Sequence, residues 1–342
     1  MYRVGVSGIN AVDNPGPGIG IAKSVKESGL EVKVIGFAYD AMEPGIYMDW
    51  LIDKSYIMPY PSEGEEIFIE RLLYIKSKSG LDAVIPALDA ELPLFIKNAQ
   101  KLSSFGIATF LPTEEQFRLR SKDKLTEVAE KIEVKVPKTL VVTSYEDFVK
   151  AVEEVGFPVM VKGIFYKAYK AFNISQATSY FNSIASEWGY PIIVQEVVSG
   201  EEMNVVGVGD GEGGDFGLVA IKKLWITSLG KIWTGVTLKN EKLTAAAKRF
   251  VEAFKWRGAF EFECIVNGDD IYLIEINPRF PAWVYFATGV GVNLPGRLLK
   301  ASLGIEPERD SDYEAGKLYV RFTDDFVTDM EKFQKIVTRG EV

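Results

Sequence analysis

Residues 256–279, WRGAFEFECIVNGDDIYLIEINPR, decide the fold of this chain. Two runs of alternating apolar residues, FEFECIV and IYLIEIN, flank the turn sequence NGDD at 267–270, a combination typical of a β-hairpin. Glu275 and Asn277 are two residues apart on the second strand, so they project from the same face. Glu263, on the first strand, joins them only if the connecting loop has an odd number of residues.

This hairpin face suits a cation. Two carboxylates and an amide oxygen are hard oxygen ligands of the kind that Mg²⁺ prefers. Arg279 follows Asn277 by two residues and adds a planar guanidinium for a phosphate or carboxylate. The alternative is a solvated hairpin with scattered charge. Because the charges interrupt an otherwise apolar run, we favour the metal interpretation.

The segment Glu263…Glu275-Ile-Asn277-Pro-Arg279 resembles the metal-binding hairpin of the ATP-grasp superfamily. The similarity extends over most of the chain and is to the branch that includes biotin carboxylase and the carbamoyl-phosphate synthase large subunit. It implies an α/β (α+β) architecture, with a Rossmann-like pre-ATP-grasp domain before the ATP-grasp module. The expected divisions are a first domain at 1–112, two ATP-grasp subdomains at 113–190 and 191–307, and an α/β tail at 308–342.

Composition narrows the function classes. The chain has 342 residues, 47% hydrophobic and 25% charged, with a net charge of −9. These values are typical of a soluble chain of two or three domains and argue against nonspecific nucleic-acid binding, which needs a basic surface. Met1 leads directly into a strand-like run with no long apolar segment, so we expect a cytoplasmic protein without a membrane partner.

The histidine and cysteine counts exclude several chemistries. The sequence has no histidine, which excludes His-based triads, His-ligated zinc and imidazole acid–base catalysis. Its one cysteine, Cys264, cannot form a disulfide within the chain and is expected in the core. Phosphoryl transfer needs only positioning, cations and charge neutralisation, so it remains compatible with this composition.

The first 110 residues predict a small α/β domain with a glycine turn before its first helix. Such a turn can bind an anion at the helix N-terminus. The spacing Gly16-x-Gly18-x-Gly20 departs from GxGxxG, although Asp40 at the end of the second strand keeps a dinucleotide site as the minor interpretation. In ATP-grasp relatives this domain contributes to the acceptor-substrate pocket. The candidates here are Asn14, Gly16, Gly18, Asp89 and Glu91, and a tight turn that needs glycine is the structural alternative.

The resemblance also implies a nucleotide site in the middle of the chain. Lys124 and Lys162 would hold the phosphates, and Glu202 would bind the ribose, with Glu201 as the competing assignment. The adenine contacts would come from Gln195, Glu196 and Val198. Of Lys222 and Lys223, one should face inward near the phosphates.

Two segments depart from the family pattern or allow two interpretations. Where relatives carry a glycine-rich flap, this chain has GIFYKAYKAFN at 163–173, in which Lys167 is the first candidate for a phosphate contact, ahead of Lys170. Trp283, just after Arg279, would line an acceptor pocket or belong to the core of a helix.

The resemblance implies an ADP-forming ligase that joins a small-molecule carboxylate to an amine or other nucleophile through an acyl phosphate. ATP with Mg²⁺ (or Mn²⁺) would be required, Arg279, Lys223 and Lys222 would serve catalysis, and a homodimer is compatible. Two other classes stay open: a nucleotide-binding sensor without turnover and, as the lesser alternative, a dinucleotide-dependent oxidoreductase.

Overall fold

The computed structural model describes residues 1–12, 15–121, 124–163, 167–227 and 230–342, over which the strands form three sheets. The strands are β1 (Tyr2–Ser7), β2 (Val32–Ala38), β3 (Lys54–Ile57), β4 (Ala83–Ile85), β5 (Thr139–Val142), β6 (Val159–Gly163), β7 (Ala168–Ala171), β8 (Ile192–Glu196), β9 (Glu201–Asp210), β10 (Asp215–Ile226), β11 (Ile232–Thr237), β12 (Arg257–Asn267), β13 (Asp270–Asn277) and β14 (Leu318–Val320). The helices are α1 (Gly18–Lys26), α2 (Glu65–Ser79), α3 (Leu92–Lys97), α4 (Ala99–Ser104), α5 (Glu114–Arg118), α6 (Leu125–Lys131), α7 (Tyr145–Val155), α8 (Ile174–Trp188), α9 (Glu241–Phe254), α10 (Tyr285–Gly289), α11 (Leu294–Ser302) and α12 (Met330–Arg339).

The N-terminal sheet is parallel, with strand order β3–β2–β1–β4. Strands β2 and β4 are mostly apolar, as expected for a sheet whose two faces are covered by helices. Helix α1 shares a core with Val4 and Val6 on one face, and α2 shares a second core with Ile35 and Phe37 on the other. The prediction of an α/β domain at the start of the chain is confirmed.

The middle sheet is antiparallel, with strand order β5–β8–β6–β7. Helices α7 and α8 pack on it and form a core of their own, in which the ring centroids of Phe148 and Phe181 lie 4.5 Å apart. The buried residues of this core all come from 142–194. This part of the chain is therefore a separate packing unit.

The largest sheet has strand order β13–β12–β9–β10–β11–β14. Helices α9 and α6 cover one of its faces, and the buried Phe260 and Phe262 of β12 belong to that core. On the other face, Val206 and Val208 of β9 share a core with α1 and α11. The remainder of that second face is polar, and it carries the candidate site.

The domain borders at 112, 190 and 307 stay predictions. Several contacts cross those borders. Helix α6 packs with α9, and the end of the tail pairs with the first domain, where the Ser55 backbone N–H donates to the Val342 carbonyl over 2.7 Å. None of the described helices has the length and apolar character needed to span a membrane.

Candidate functional site

The hairpin of β12 and β13 has a two-residue turn, not the odd-numbered loop that the sequence argument required. Asn267 pairs with Asp270, so an uninterrupted register would turn Glu263 and Glu275 to opposite faces. A β-bulge between the Glu263 and Cys264 pairs shifts the register by one residue. Glu263 therefore lies directly opposite Glu275. The odd-loop condition is wrong, but the shared face exists because the bulge supplies the missing residue.

Glu261 is a site residue that sequence reasoning missed. It lies directly opposite Asn277, and it is 4% exposed. Its two carboxylate oxygens accept three hydrogen bonds, from the Asn204 amide over 2.7 Å, the Trp283 indole over 2.7 Å and the Asn277 amide over 3.1 Å. The signal for it was available: a carboxylate two residues before Glu263 on an alternating strand must share its face.

The two carboxylates of β12 are close enough to repel each other. The Asn277 amide nitrogen donates to Glu263 over 3.0 Å as well as to Glu261. Burial and the charge of Glu263 raise the pKa of Glu261 to about 7. A cation at this position would relieve the repulsion and favour the ionised form of both groups.

Lys223 faces the hairpin and Lys222 does not. The Lys223 ammonium is buried and contacts Glu263 at 2.9 Å and Glu202 at 3.2 Å. Burial disfavours its charge, but the two carboxylates outweigh that effect and raise the pKa of Lys223. Lys222 instead forms an ion pair with Glu201. Lys223 and Glu202 thus belong to the site face, and Lys222 and Glu201 are paired away from it.

The donor set fits a hard divalent cation, although its side chains do not converge as they stand. In the described ranges, no group of three acidic, histidine or cysteine side chains is close enough to hold a metal ion, and Glu275 is exposed. The Asn277 side-chain oxygen accepts from Arg279 over 3.3 Å, so ligation requires that amide to turn. The buried side-chain oxygen of Asn204 has no hydrogen-bond partner within the described part of the chain. Glu263, Glu275 and Asn277 as metal ligands stay a prediction, to which Glu261 is added.

Arg279 links the hairpin to the first domain. Its guanidinium lies 3.1 Å from Asp89, and Arg120 forms an ion pair with the same carboxylate. Burial opposes ionisation, but Arg279 and Arg120 together hold the pKa of Asp89 below its usual range. Asp89, which was predicted to contact the acceptor substrate, is thus already paired with two arginines.

The predicted nucleotide residues gather around β8. The Lys162 ammonium at the end of β6 donates to the Gln195 side chain over 2.6 Å, and the Gln195 amide donates to Thr139 over 2.8 Å. The exposed Glu196 follows, and its carboxylate accepts from the Lys138 backbone N–H over 3.1 Å. Val198 lies between β8 and β9, and its backbone makes no hydrogen bond to any residue that the structure describes. Such free backbone groups can read the edge of a base.

The remaining lysine candidates already have carboxylate partners. Lys124 precedes α6 and forms an ion pair with Glu127 at 2.8 Å. Lys167 has a positive φ of 68° and forms an ion pair with Glu187 of α8. Residues 164–166 of the predicted flap lie outside the described residues. A phosphate contact by Lys124 or Lys167 therefore requires exchange of an existing ion pair.

The glycine turn of the first domain is explained by packing. The backbone N–H of Gly16 donates to the Asn10 carbonyl over 3.0 Å, and that of Gly18 donates to Gly8 over 2.9 Å. A Cβ on Gly18 would lie 2.2 Å from the Ser7 carbonyl oxygen, so no larger residue fits. The prediction for Asn14 falls outside the described residues. These occupied N–H groups favour the interpretation that the turn simply needs glycine.

Two further residues that were predicted to line the acceptor-substrate pocket are buried. Glu91 is 1% exposed and accepts hydrogen bonds from Ser7, from the Tyr39 hydroxyl over 2.5 Å and from the backbone of Ala87 and Leu88. Trp283 is 3% exposed and bonded to Glu261. Of the two interpretations for Trp283, the structure favours the core. Both side chains support loops around the site and do not line an open pocket.

Comparison with known proteins identifies the module that contains this site. Residues 119–282 match the family model of the ATP-grasp domain. The chain contains an ATP-grasp domain. The predicted superfamily is thereby confirmed, and the hairpin, Lys162, Gln195 and Lys223 all lie within the matched range.

Two similar proteins agree with this assignment. The carbamoyl phosphate synthase large chain of Clostridium acetobutylicum is 24% identical over 228 residues, which cover 63% of this chain and 21% of the relative. The corresponding protein of Clostridium botulinum is 24% identical over 272 residues, 75% of this chain and 24% of the relative. The ATP-grasp chain thus spans about a fifth to a quarter of the length of these curated relatives.

Solved structures confirm the fold. The biotin carboxylase domain of Hydrogenobacter thermophilus 2-oxoglutarate carboxylase, a dimer in complex with MgADP, ADP and bicarbonate, superposes with a TM-score of 0.69 at 16% identity. That match covers 93% of this ATP-grasp chain and 73% of the other. N5-carboxyaminoimidazole ribonucleotide synthetase from Thermus thermophilus gives a TM-score of 0.65 at 16% identity, with coverage of 91% and 81%. The predicted ATP-grasp fold behind a pre-ATP-grasp domain is correct.

Proposed function

We propose that this protein is an ADP-forming ligase that uses Mg²⁺-ATP to activate a small-molecule carboxylate and joins it to an amine or another nucleophile. The observation that carries the proposal is the polar face of the largest sheet. A continuous series of contacts runs along this face from the nucleotide side to Asp89 of the first domain. Its members, in order, are Glu202, Lys223, Glu263, Asn277 and Arg279. The presence of the ATP-grasp domain supports this reaction class.

The nucleotide would lie between the middle sheet and this polar face. Lys162 at the end of β6 would neutralise phosphate charge, and the segment around Glu196 and Val198 would contact adenine. Glu202 would accept the ribose hydroxyls, with Lys223 fixing its position. These roles follow from the sides on which the structure holds the groups: Lys162 beside Gln195 on β8, and Glu202 beside Lys223 on β10.

Mg²⁺ (or Mn²⁺) would be held by Glu263, Glu275 and Asn277 together with Glu261. When bound, the ion would supply positive charge that neutralises the phosphates during phosphoryl transfer. The neighbour from Hydrogenobacter thermophilus contains MgADP, which supports the same cofactor here. The charges on this face favour such an ion, because the carboxylates of Glu202, Glu261 and Glu263 lie together, and Lys223 contacts two of them.

In the first step a carboxylate oxygen of the acid attacks the γ-phosphorus of ATP. A carbon-bound oxygen–phosphorus bond forms, the bond between the γ-phosphorus and its bridging oxygen breaks, and ADP leaves. In the second step the nucleophile attacks the acyl carbon, phosphate leaves and the attacking amine loses a proton. Arg279 would neutralise the transferring phosphoryl group or the acid, and Lys223 would hold Glu263 and Glu202 in place.

The reaction is tested by measuring ADP and phosphate release from Mg²⁺-ATP while pools of carboxylates and amines are supplied. We expect release to require one acid and to rise with one nucleophile. The Glu275→Gln variant serves as the inactive control. Failure of every pool to stimulate release above the ATP-only rate, with ATP bound, would favour the sensor.

One observation keeps the nucleotide sensor as a second candidate. Lys167, the predicted flap lysine, is ion-paired with Glu187 of α8 and so is held by its own subdomain. A protein that binds nucleotide without closing over it would show heat stabilisation by Mg²⁺-ATP but no acceptor-stimulated ADP release. The occupied N–H groups of Gly16 and Gly18 disfavour the oxidoreductase, for which NAD(P) would have to stabilise the protein. A homodimer and a cytoplasmic location stay proposals.

We predict that Glu202→Ala weakens ATP binding about 10- to 100-fold, whereas Glu201→Ala changes it less than about twofold. A hydrogen bond between a charged group and a ribose hydroxyl contributes about 1.5–3 kcal/mol, and only Glu202 faces Lys223 and the hairpin. Isothermal titration of both variants with a non-hydrolysable ATP analogue measures the difference. Because each variant removes one carboxylate from β9, Glu201→Ala is the matched control. Equal affinities in the two variants would contradict the ribose role.

A further inference from the structure

Lys231 immediately precedes β11, and its side chain contacts the first domain. Its ammonium donates to the Pro15 carbonyl over 2.8 Å, in the segment that follows β1. The residue is half-buried. Burial lowers the pKa of Lys231 to about 8, and the positive charges of Arg279 and Arg321 contribute to the lowering. Asp89 and Glu261 offset part of this lowering.

Arg321 approaches the same position from the C-terminal part of the chain. It follows β14 directly, and its backbone N–H donates to the Trp233 carbonyl over 2.9 Å, two residues from Lys231. Its guanidinium donates to the Ala282 carbonyl over 2.8 Å and to the Tyr319 hydroxyl over 3.0 Å. These neutral acceptors fix the side chain without compensating its charge.

The charges of this cluster, defined as Lys231, Arg279 and Arg321, do not balance. Neither Lys231 nor Arg321 has a carboxylate of any described residue within 4.0 Å. The nearest negative groups are Asp89, already shared by Arg279 and Arg120, and Glu261, whose hydrogen bonds come from neutral donors. Partly buried cations of like sign are costly to hold together unless an anion joins them.

We propose that Lys231 and Arg321 bind a second anionic group of the acid substrate, so that the substrate class is an acid with an additional carboxylate or a phosphate. The inference rests on the proposed ligase function, in which Arg279 neutralises the transferring phosphoryl group or the acid. The cluster joins the hairpin end, the β10–β11 connection and the β14 end, and it faces the first domain at Pro15. A doubly charged acid would thus be held where the two parts of the protein meet.

The test compares acids that differ by one anionic group. Succinate is titrated against succinamate, and phosphoglycolate against glycolate, by calorimetry at pH 7 and constant ionic strength, with and without Mg²⁺-ADP. We expect the member with the second anionic group, in at least one pair, to bind about tenfold or more tightly, as one additional charge-assisted hydrogen bond would give. A larger preference in the succinate pair indicates that the second anionic group is a carboxylate, and a larger preference in the phosphoglycolate pair indicates that it is a phosphate. Equal binding within both pairs overturns the proposal.

Variants locate the second anionic group. Lys231→Met should reduce the preference to within about twofold, as expected when the charged donor is lost. Lys242→Met is the matched control, because Lys242 is exposed on α9 and paired with Asp269. It should keep the full preference. Retention of the preference in Lys231→Met, with an unchanged melting temperature, overturns the proposal even if the screen detects ligase activity.

A pH series adds an independent readout. Lys231 is charged below its pKa of about 8, so the preference should be present at pH 7 and decline by pH 9. The pKa of Arg279 is raised by Asp89 and that of Asp89 is lowered by Arg279 and Arg120, so both stay ionised over this range, whereas Glu261 gains charge near pH 7. Lys231→Arg separates these effects, because arginine does not titrate here. The preference should persist at pH 9 in Lys231→Arg. Its loss there would overturn the role of Lys231, whereas absent ADP release alone would count only against the ligase.

Discussion

Replacing Glu275 with glutamine should lower Mg²⁺-dependent ATP turnover by at least about a hundredfold, because a single group that stabilises transition-state charge contributes about 3 kcal/mol or more. The substitution removes one negative charge from the hairpin and keeps the shape of the side chain. Glu275 is exposed, and its side chain makes no hydrogen bond to any residue in the described ranges, so the fold should be retained. Steady-state ADP release across a Mg²⁺ series, together with the melting temperature, measures both effects.

Three other carboxylates are used for comparison with Glu275, two on the hairpin and one on α9. Glu261→Gln and Glu263→Gln should each lower turnover if the hairpin holds the metal, but Glu261→Gln should also lower the melting temperature, because three buried donors depend on that carboxylate. Glu252→Gln, an exposed change on α9, should have no effect. Wild-type turnover in Glu275→Gln would place the metal elsewhere.

Replacing Arg279 with methionine should lower kcat by about 100- to 1000-fold, the usual effect of removing one donor that stabilises developing charge. The guanidinium is held by Asp89, the Asn277 side-chain oxygen and the Phe280 carbonyl, so it is fixed before substrate arrives. Arg279→Lys keeps the charge but loses the planar fork, and it should recover only part of the rate. Single-turnover kinetics with saturating ATP separate this loss from weaker binding.

A second arginine–aspartate ion pair serves as a control, because it tests whether the loss of any such ion pair lowers kcat. Arg309 contacts Asp210 at 2.8 Å at the far end of β9 and is half-exposed. Arg309→Met should leave kcat within about twofold of wild type, as expected for a surface pair. If Arg279→Met lowered the melting temperature but left kcat unchanged, its role would be limited to joining the domains.

The hairpin shows how far the sequence could predict this site. Its turn, its strands and the shared face of Glu275 and Asn277 all follow from residue identity and the two-residue period of a strand. The position of Glu263 could not follow, because it depends on a bulge at which one residue leaves the ladder. The loop length alone indicated the opposite face. A bulge is set by packing on both sides of the sheet, which a local pattern does not contain.

Long-range partners explain the other differences. The sequence could say that one of Lys222 and Lys223 faces inward, but the choice depends on the register of β10 against β9. Trp283 and Glu261 are 22 residues apart, and their hydrogen bond exists only because the chain turns back over the sheet after Arg279. Asp89 meets Arg279 from 190 residues away. Local patterns indicate residue types and faces, whereas these pairings depend on the tertiary fold.

The distribution of cores has a mechanical consequence. The core formed by β1 and α1 also includes residues of β9, β10 and α11, so the first domain and the largest sheet are packed together as one unit. The middle sheet has a core of its own, and it is joined to that unit by the segments at 136–138 and 197–200, since Lys135 is already hydrogen-bonded to β13. Bending is least resisted at these two thin connections. The cluster of Lys231, Arg279 and Arg321 and the hairpin of β12 and β13 therefore belong to one packed unit, and we expect the middle sheet to move relative to both of them together.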